Sequence, residues 1–223
     1  DPSIVASLLE SNVIYLGAGS PTYAIRQLRE SLAWHTILAK HRLGAALILA
    51  SAAAIAVSES ALPVYEIFKV GDDLHWVPGL DLFGAYGLRL AVVSHWDNND
   101  GGTELDTSRG FLGQERFRLL RAMLPPELSV VGLDEQTALV VDLAGRQCRV
   151  MGHGGVCVCH GGTETRYEHG HNFPLDALGQ VQMPDPRSGI PDSVWEDCQP
   201  RPRTSPSLTT SPPEQVLAMA RER

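Results

Sequence analysis

Three residues of this 223-residue chain are placed where side-chain chemistry is expected. Ser51 ends an apolar run and opens the alanine-rich stretch Ala50-Ser51-Ala52-Ala53-Ala54. A serine on a sharp strand-to-helix turn exposes its hydroxyl and leaves the next amide available for an oxyanion. Such a turn brings chain segments close, and every neighbour of Ser51 is small. His95 follows the apolar run Leu90 to Val93, and Glu135 follows Val130-Val131-Gly132-Leu133-Asp134. Strand ends on one edge of an open α/β sheet converge on a crevice. Serine, histidine and carboxylate delivered there would serve as nucleophile, base and orienting group. Taken singly each has a blander role: a structural serine, a hydrogen-bonded histidine, a solvated turn glutamate.

The elements that must position them read as alternating helix and strand. Ile4 to Ser11 is an amphipathic helix, Asn12 to Leu16 a short strand, and Gly17 to Pro21 a break. Thr22 to Lys40 carries Ile25, Leu28, Leu32 and Ile37 at helical spacing, which predicts one exposed helix covering a sheet. Gly44 to Leu49 is a strand and Ala52 to Ser58 a helix. Leu88 to Val93 and Leu128 to Val131 are near-continuously apolar, as in strands covered on both faces, with a helix over Glu115 to Met123 between them. The alternation predicts an α/β fold with a mainly parallel, doubly wound sheet. From Thr137 onward short strands separated by glycine suggest an antiparallel extension at its edge.

The segment Gly132-Leu133-Asp134-Glu135-Gln136-Thr137-Ala138 resembles the Gly-Ile-Asp-Glu-x-Thr-Ala segment of the cyanophycinase and aspartyl dipeptidase family of serine peptidases. Ala50-Ser51-Ala52-Ala53-Ala54 resembles that family's Thr-Ser-Ala-Gly-Ala nucleophile segment, and His95-Trp96 its His-aromatic pair. Arg116, Arg118 and Arg121 repeat its Arg-x-Arg-x-x-Arg spacing after a longer loop. The resemblance spans roughly Ile4 to Leu178. It implies a class I glutamine amidotransferase-like fold and cleavage of a small peptide or amide next to aspartate. By the same resemblance Ser51, His95 and Glu135 are a catalytic triad, the Gly19 and Ala52 amides an oxyanion hole, and the three arginines a substrate anchor. The chain departs from the family at Ala53, where it has glycine, at Val93-Ser94, where it has Asp-Gln, and near Pro21, where it has Gln. The family also has a strand and helix ahead of the segment matching residue 1. A non-catalytic scaffold of the same fold is the rival reading.

Composition narrows the rest. With 43% hydrophobic and 20% charged residues, the chain supports one main domain over residues 1 to 180. A net charge of -8 opposes binding to a phosphate backbone, so nucleic acid is not an expected partner. The longest apolar run, Gly44 to Val57, is shorter than the roughly 20 residues of a membrane helix and contains Ser51, so no membrane association is expected. Four cysteines without a disulfide framework, and no leader at the start, point to a cytoplasmic protein. A homodimer is left open.

His153, Cys157, Cys159, His160, His169 and His171 gather six soft ligands in a short stretch, which raises a metal-binding module as a third reading. Their spacing meets no established tetrahedral pattern, so no metal and no cofactor is expected. Residues 181 to 213 hold eight of the 15 prolines and read as a linker, with the start of a helix over residues 214 to 223.

Overall fold

The structure is a computed structural model and describes residues 2 to 199. The elements run α1 (Pro2–Glu10), β1 (Val13–Leu16), α2 (Pro21–Leu28), α3 (Leu32–Arg42), β2 (Ala46–Leu49), α4 (Ala52–Ala56), β3 (Ser60–Ala61), β4 (Val77–Pro78) and β5 (Leu90–Ser94). They continue with a short turn α5 (Ser108–Phe111), α6 (Gln114–Ala122), β6 (Ser129–Leu133), β7 (Thr137–Asp142), β8 (Gln147–Gly152), β9 (Val156–His160), β10 (Thr163–Tyr167), β11 (Asn172–Pro174) and α7 (Asp192–Cys198).

The alternation of helix and strand is as the sequence predicts, but the sheet is not mainly parallel. Among the described residues β1 pairs with β2 in parallel and β5 with β6 in parallel, while the other five pairings are antiparallel. The largest sheet is mixed, in the order β10-β9-β6-β5, so β9 and β10 do extend it antiparallel at the edge. β7, β8 and β11 form an antiparallel sheet of their own. Their alternating burial, with Val150 and Cys148 inward and Gln147, Arg149 and Met151 outward, is that of a sheet with one wet face. Hairpin geometry therefore governs the second half of the chain, where connections are too short for the helical crossover that parallel strands require.

The helix expected over Thr22 to Lys40 is two helices. Glu30 takes a left-handed backbone at φ 55°, and the Ser31 side chain caps the new helix by accepting the Trp34 amide at 3.1 Å. Serine at this position satisfies an otherwise orphaned first-turn donor, a local gain that outweighs continuing the apolar stripe. The linker expected from Val181 is also shorter than its proline content suggests. Ile190, Val194, Trp195 and Cys198 are buried, and α7 packs against Ala39 of α3. The remainder of the linker and the helix start at residues 214 to 223 lie outside the described residues.

Helix α4 joins the core. Its consecutive residues point into different clusters: Ala54 toward Val92, Val131 and Leu175, Ile55 and Ala56 toward Val93, Leu120 and Val130, with Val57 just beyond toward Ile14, Trp34 and Ile37. β5 is buried along its whole length, while β1 and β2 leave Val13, Tyr15 and Ile48 exposed on one face. No helix of the described residues is long and apolar enough to cross a membrane.

Candidate active site

β2, β5 and β6 end at the same place. Ser51 sits between β2 and α4 with φ 50° and ψ −109°, a backbone that a residue bearing a Cβ adopts only under strain of about 1–3 kcal/mol. The cost is met locally: the Ser51 carbonyl accepts the Ile55 amide at 3.1 Å and the Ser94 hydroxyl at 3.2 Å. Ala52, Ala53 and Ala54 are all buried, and the alanine at position 53 is accommodated within α4. His95, just past β5, also has a positive φ of 57°. Its carbonyl accepts the Gly110 amide at 3.0 Å, and the next residue is pinned from both sides, Trp96 N–H to Leu133 at 2.9 Å and Arg109 N–H to the Trp96 carbonyl at 2.9 Å. Gly132 of β6 is required here, because a Cβ at that position would fall 2.2 Å from the buried Trp96 ring.

The three predicted site residues form one continuous chain of hydrogen bonds. Ser51 Oγ lies 2.8 Å from His95 Nε2, and His95 Nδ1 lies 2.8 Å from Glu135 Oε1. Glu135 Oε1 also accepts Asn98 Nδ2 at 2.8 Å, and the Glu135 amide donates to Asp97 Oδ1 at 2.7 Å. The hydrogen bond from Asn98, then that from His95, hold the Glu135 carboxyl below its ordinary range, so it stays charged beside the imidazole. An imidazole bonded to a carboxylate through Nδ1 presents a lone pair on Nε2 toward the serine proton. Asp134, one residue earlier, points the other way: it is buried, ion-paired with Arg166, and accepts the Gly155 amide at 2.8 Å. Neighbouring carboxylates thus divide between tying β6 to β9 and facing His95.

A cleft of about 380 Å³ opens over Ser51. Gly19 and Ala52, the predicted oxyanion donors, both line it, and the Ala52 amide belongs to the first turn of α4, whose donors have no intrahelical acceptor. The far wall is a π-helical turn, Glu66–Val70, with Tyr65 before it. Lys69 is the cation at this wall, its Nζ 4.5 Å from the Tyr65 ring centroid. The Phe68 and Phe111 rings are tilted against each other with centroids 5.6 Å apart, and the Phe111 centroid lies 5.0 Å from that of the His95 ring.

Arg116, Arg118 and Arg121 do not line this cleft. They lie on α6, whose inward face is Phe117 and Leu120; Arg118 pairs with Glu115 at 2.7 Å and Arg121 with Glu164 at 3.7 Å. Helical spacing that buries Phe117 and Leu120 turns Arg116 and Arg118 toward solvent. The polar loop after His95 is stitched down: Asn98 and Thr107 are buried, and Thr107 Oγ1 accepts the Gly101 amide at 3.1 Å. Sequence reasoning missed Asn98 as a partner of Glu135, and missed Tyr65, Phe68, Lys69 and Phe111 as cleft walls. Their segments carry no motif, and only tertiary folding brings them to Ser51. A larger apolar groove of about 510 Å³, lined by Leu47, Leu49, Val92, Leu139 and Val141, holds no comparable cluster of reactive groups.

Fold and geometry define a mixed α/β domain with a Ser-His-Glu hydrogen-bonded chain at converging strand ends. Its fold is that of a peptidase from an acI-B1 Actinobacterium, whose crystal structure superposes with a TM-score of 0.61 at 20% identity, over 78% of this chain and 64% of that one. The chain therefore spans under two thirds of that protein's length. A protein provisionally assigned as a peptidase E from Listeria monocytogenes EGD-e matches with a TM-score of 0.43 at 14% identity, over 75% of this chain and 64% of that one. No family model and no curated protein matches the chain.

Proposed function

We propose that the chain is a serine-type hydrolase related to the peptidase E and cyanophycinase group, acting on a small peptide or amide. The observation that carries this reading is the unbroken run Ser51 Oγ to His95 Nε2 to His95 Nδ1 to Glu135 Oε1, both contacts 2.8 Å, within the range a nucleophile, its base and an orienting carboxylate require.

In this mechanism Ser51 Oγ attacks the substrate carbonyl carbon while His95 Nε2 takes the hydroxyl proton. Glu135 fixes the imidazole and stabilises the imidazolium that forms, without itself taking the proton. The carbonyl oxygen becomes an oxyanion that accepts from the Gly19 and Ala52 amides. His95 then gives its proton to the leaving amine, the C–N bond breaks, and water delivered through the same base releases the acid and restores Ser51. The strained backbone at both Ser51 and His95 agrees with a preorganised site.

The cleft volume suits a substrate of a few residues. Lys69 offers a carboxylate partner at its rim, while Val64, Phe68 and Phe111 favour an apolar neighbour. The direct test is hydrolysis of Asp-containing dipeptides and amides: the unmutated chain should turn them over and Ser51→Ala should not, with the same circular dichroism for both. Turnover that survives Ser51→Ala would refute the mechanism.

A further inference from the structure

The cysteines of β9 alternate in direction with the valines between them. Val156 and Val158 enter the cluster around Leu88 and Phe173, while Cys157 and Cys159 point to the opposite face, toward Trp96, Phe117 and Leu120. Residues two apart on a strand share a face, so both thiols lie side by side. In the β9–β10 hairpin Glu164 stands directly opposite Cys159. The two sulfurs and a Glu164 carboxylate oxygen all fall within 4.8 Å of one another.

We propose that Cys157, Cys159 and Glu164 form a binding site for a tetrahedral divalent metal ion of the zinc class, separate from the Ser51 cleft. The distances fit. Zn–S bonds of about 2.3 Å and Zn–O bonds of about 2.0 Å at a tetrahedral angle put sulfur and oxygen about 3.5 Å apart. Cys159 Sγ and Glu164 Oε2 are 3.4 Å apart. The ladder that pairs Cys159 with Glu164 fixes that edge, and the i, i+2 relation on β9 supplies the second sulfur without any loop having to move.

Charge also balances. Two thiolates and one carboxylate carry three negative charges, the ion two positive, and Arg121 at the end of α6, 3.7 Å from Glu164, supplies the remaining positive charge. With both thiols buried, a cluster that sums to zero avoids the penalty of an unpaired charge. Glu164 is half exposed, so the ion enters from its side and its fourth position faces solvent. The mixed sulfur and oxygen donors suit zinc better than a softer monovalent ion.

The histidines that the sequence placed beside these cysteines are not part of the site. His160 Nδ1 bonds Ser129 Oγ at 2.6 Å, and His153 Nδ1 faces Gln136 at 2.9 Å. The third ligand is instead a glutamate that sequence spacing did not single out.

The test uses Co²⁺ as a spectroscopic stand-in and zinc itself for stoichiometry, on the full chain purified in chelator. The unmutated protein should take up one Co²⁺ with a thiolate-to-metal charge-transfer band, and zinc should displace it. Cys157→Ser and Cys159→Ser should each lose most of the band. Because a buried cysteine variant could misfold, Glu164→Gln at the exposed rim is the companion: it should keep the chelator-treated melting temperature of the parent and bind Co²⁺ at least about tenfold more weakly. Absence of a charge-transfer band in the unmutated protein would overturn the proposal. So would a band unchanged in intensity and affinity in Glu164→Gln, or one that persists in folded Cys157→Ser.

Discussion

The two parallel strand pairs are built differently. β5 and β6 are packed on both faces and share a ladder with β9 and β10, whereas among the described residues β1 and β2 pair only with each other and leave Val13, Tyr15 and Ile48 in solvent. Yet the candidate active site straddles them, taking Ser51 from the end of β2 and His95 and Glu135 from the ends of β5 and β6. In the described strand pairings β2 and β5 are not joined by a ladder. Helix α4 and the hydrogen bonds at Ser51 hold them in register. Precision at this site therefore comes from a five-residue helix and two strained residues rather than from a continuous sheet.

The largest expected effects are on the chain of hydrogen bonds that crosses the divide. His95→Ala removes the base and should lower kcat/KM by about 10²–10⁴-fold. Glu135→Gln keeps the shape and loses the charge, so its loss should be smaller and should not add to that of His95→Ala in the double variant. Full additivity in steady-state kinetics would mean that the two residues do not work through each other.

Next comes the bridge. Ile55→Ala empties a buried position where α4 meets β5 and β6, and should cost about 2–5 kcal/mol in denaturant unfolding. If α4 is the link, this variant should also lose activity under conditions where it remains folded. An undiminished kcat in the folded variant would show that β2 is held by something else.

A matched pair sharpens the contrast of the two strand pairs themselves. Val93→Thr places a hydroxyl at a fully buried position in β5 and should cost about 1–3 kcal/mol. Ile48→Thr, at a position 51% exposed in β2, should stay within about 0.5 kcal/mol. Equal losses would indicate that the open face of β1 and β2 is covered in solution.

The smallest effect is on the pH dependence of stability. Asn98 and His95 hold the folded Glu135 carboxyl below its ordinary value. Its charged form thus contributes stability that is complete above the unfolded carboxylate value and lost as pH falls through the lower folded one. The difference in melting temperature between the parent and Glu135→Gln should therefore be greatest near neutral pH and close on acidification. A difference that widens in acid would reverse the assigned direction.

The sequence made much of the site legible because strand-end positions are set by local pattern. Apolar runs ending at Ala50, Val93 and Leu133 place the polar residues that follow at a sheet edge, which is where Ser51, His95 and Glu135 are found, while Ser94 and Asp134 beside them make structural hydrogen bonds. Pairing was less legible. Val156 to Val158 falls among the short strands expected to extend the sheet antiparallel, as it does, but nothing local says that β6 is its neighbour. The break at Glu30 was hidden because the apolar spacing continues in phase across it, while Ser31 reads as a cap only once a turn is known to precede it. The proline content after Val181 obscured α7, whose Val194, Trp195 and Cys198 are buried by contacts with a helix about 150 residues earlier. Lys69 and Phe111 could not be found at all without the fold, since neither lies in a motif.

The central claim is that Ser51 is the group activated by His95, and covalent labelling tests it most directly. An active-site-directed fluorophosphonate, followed by peptide mass spectrometry, should place one adduct per chain on Ser51, with labelling lost in Ser51→Ala and strongly slowed in His95→Ala. No adduct on the folded protein, or an adduct on another residue at the same rate in Ser51→Ala, would contradict the account.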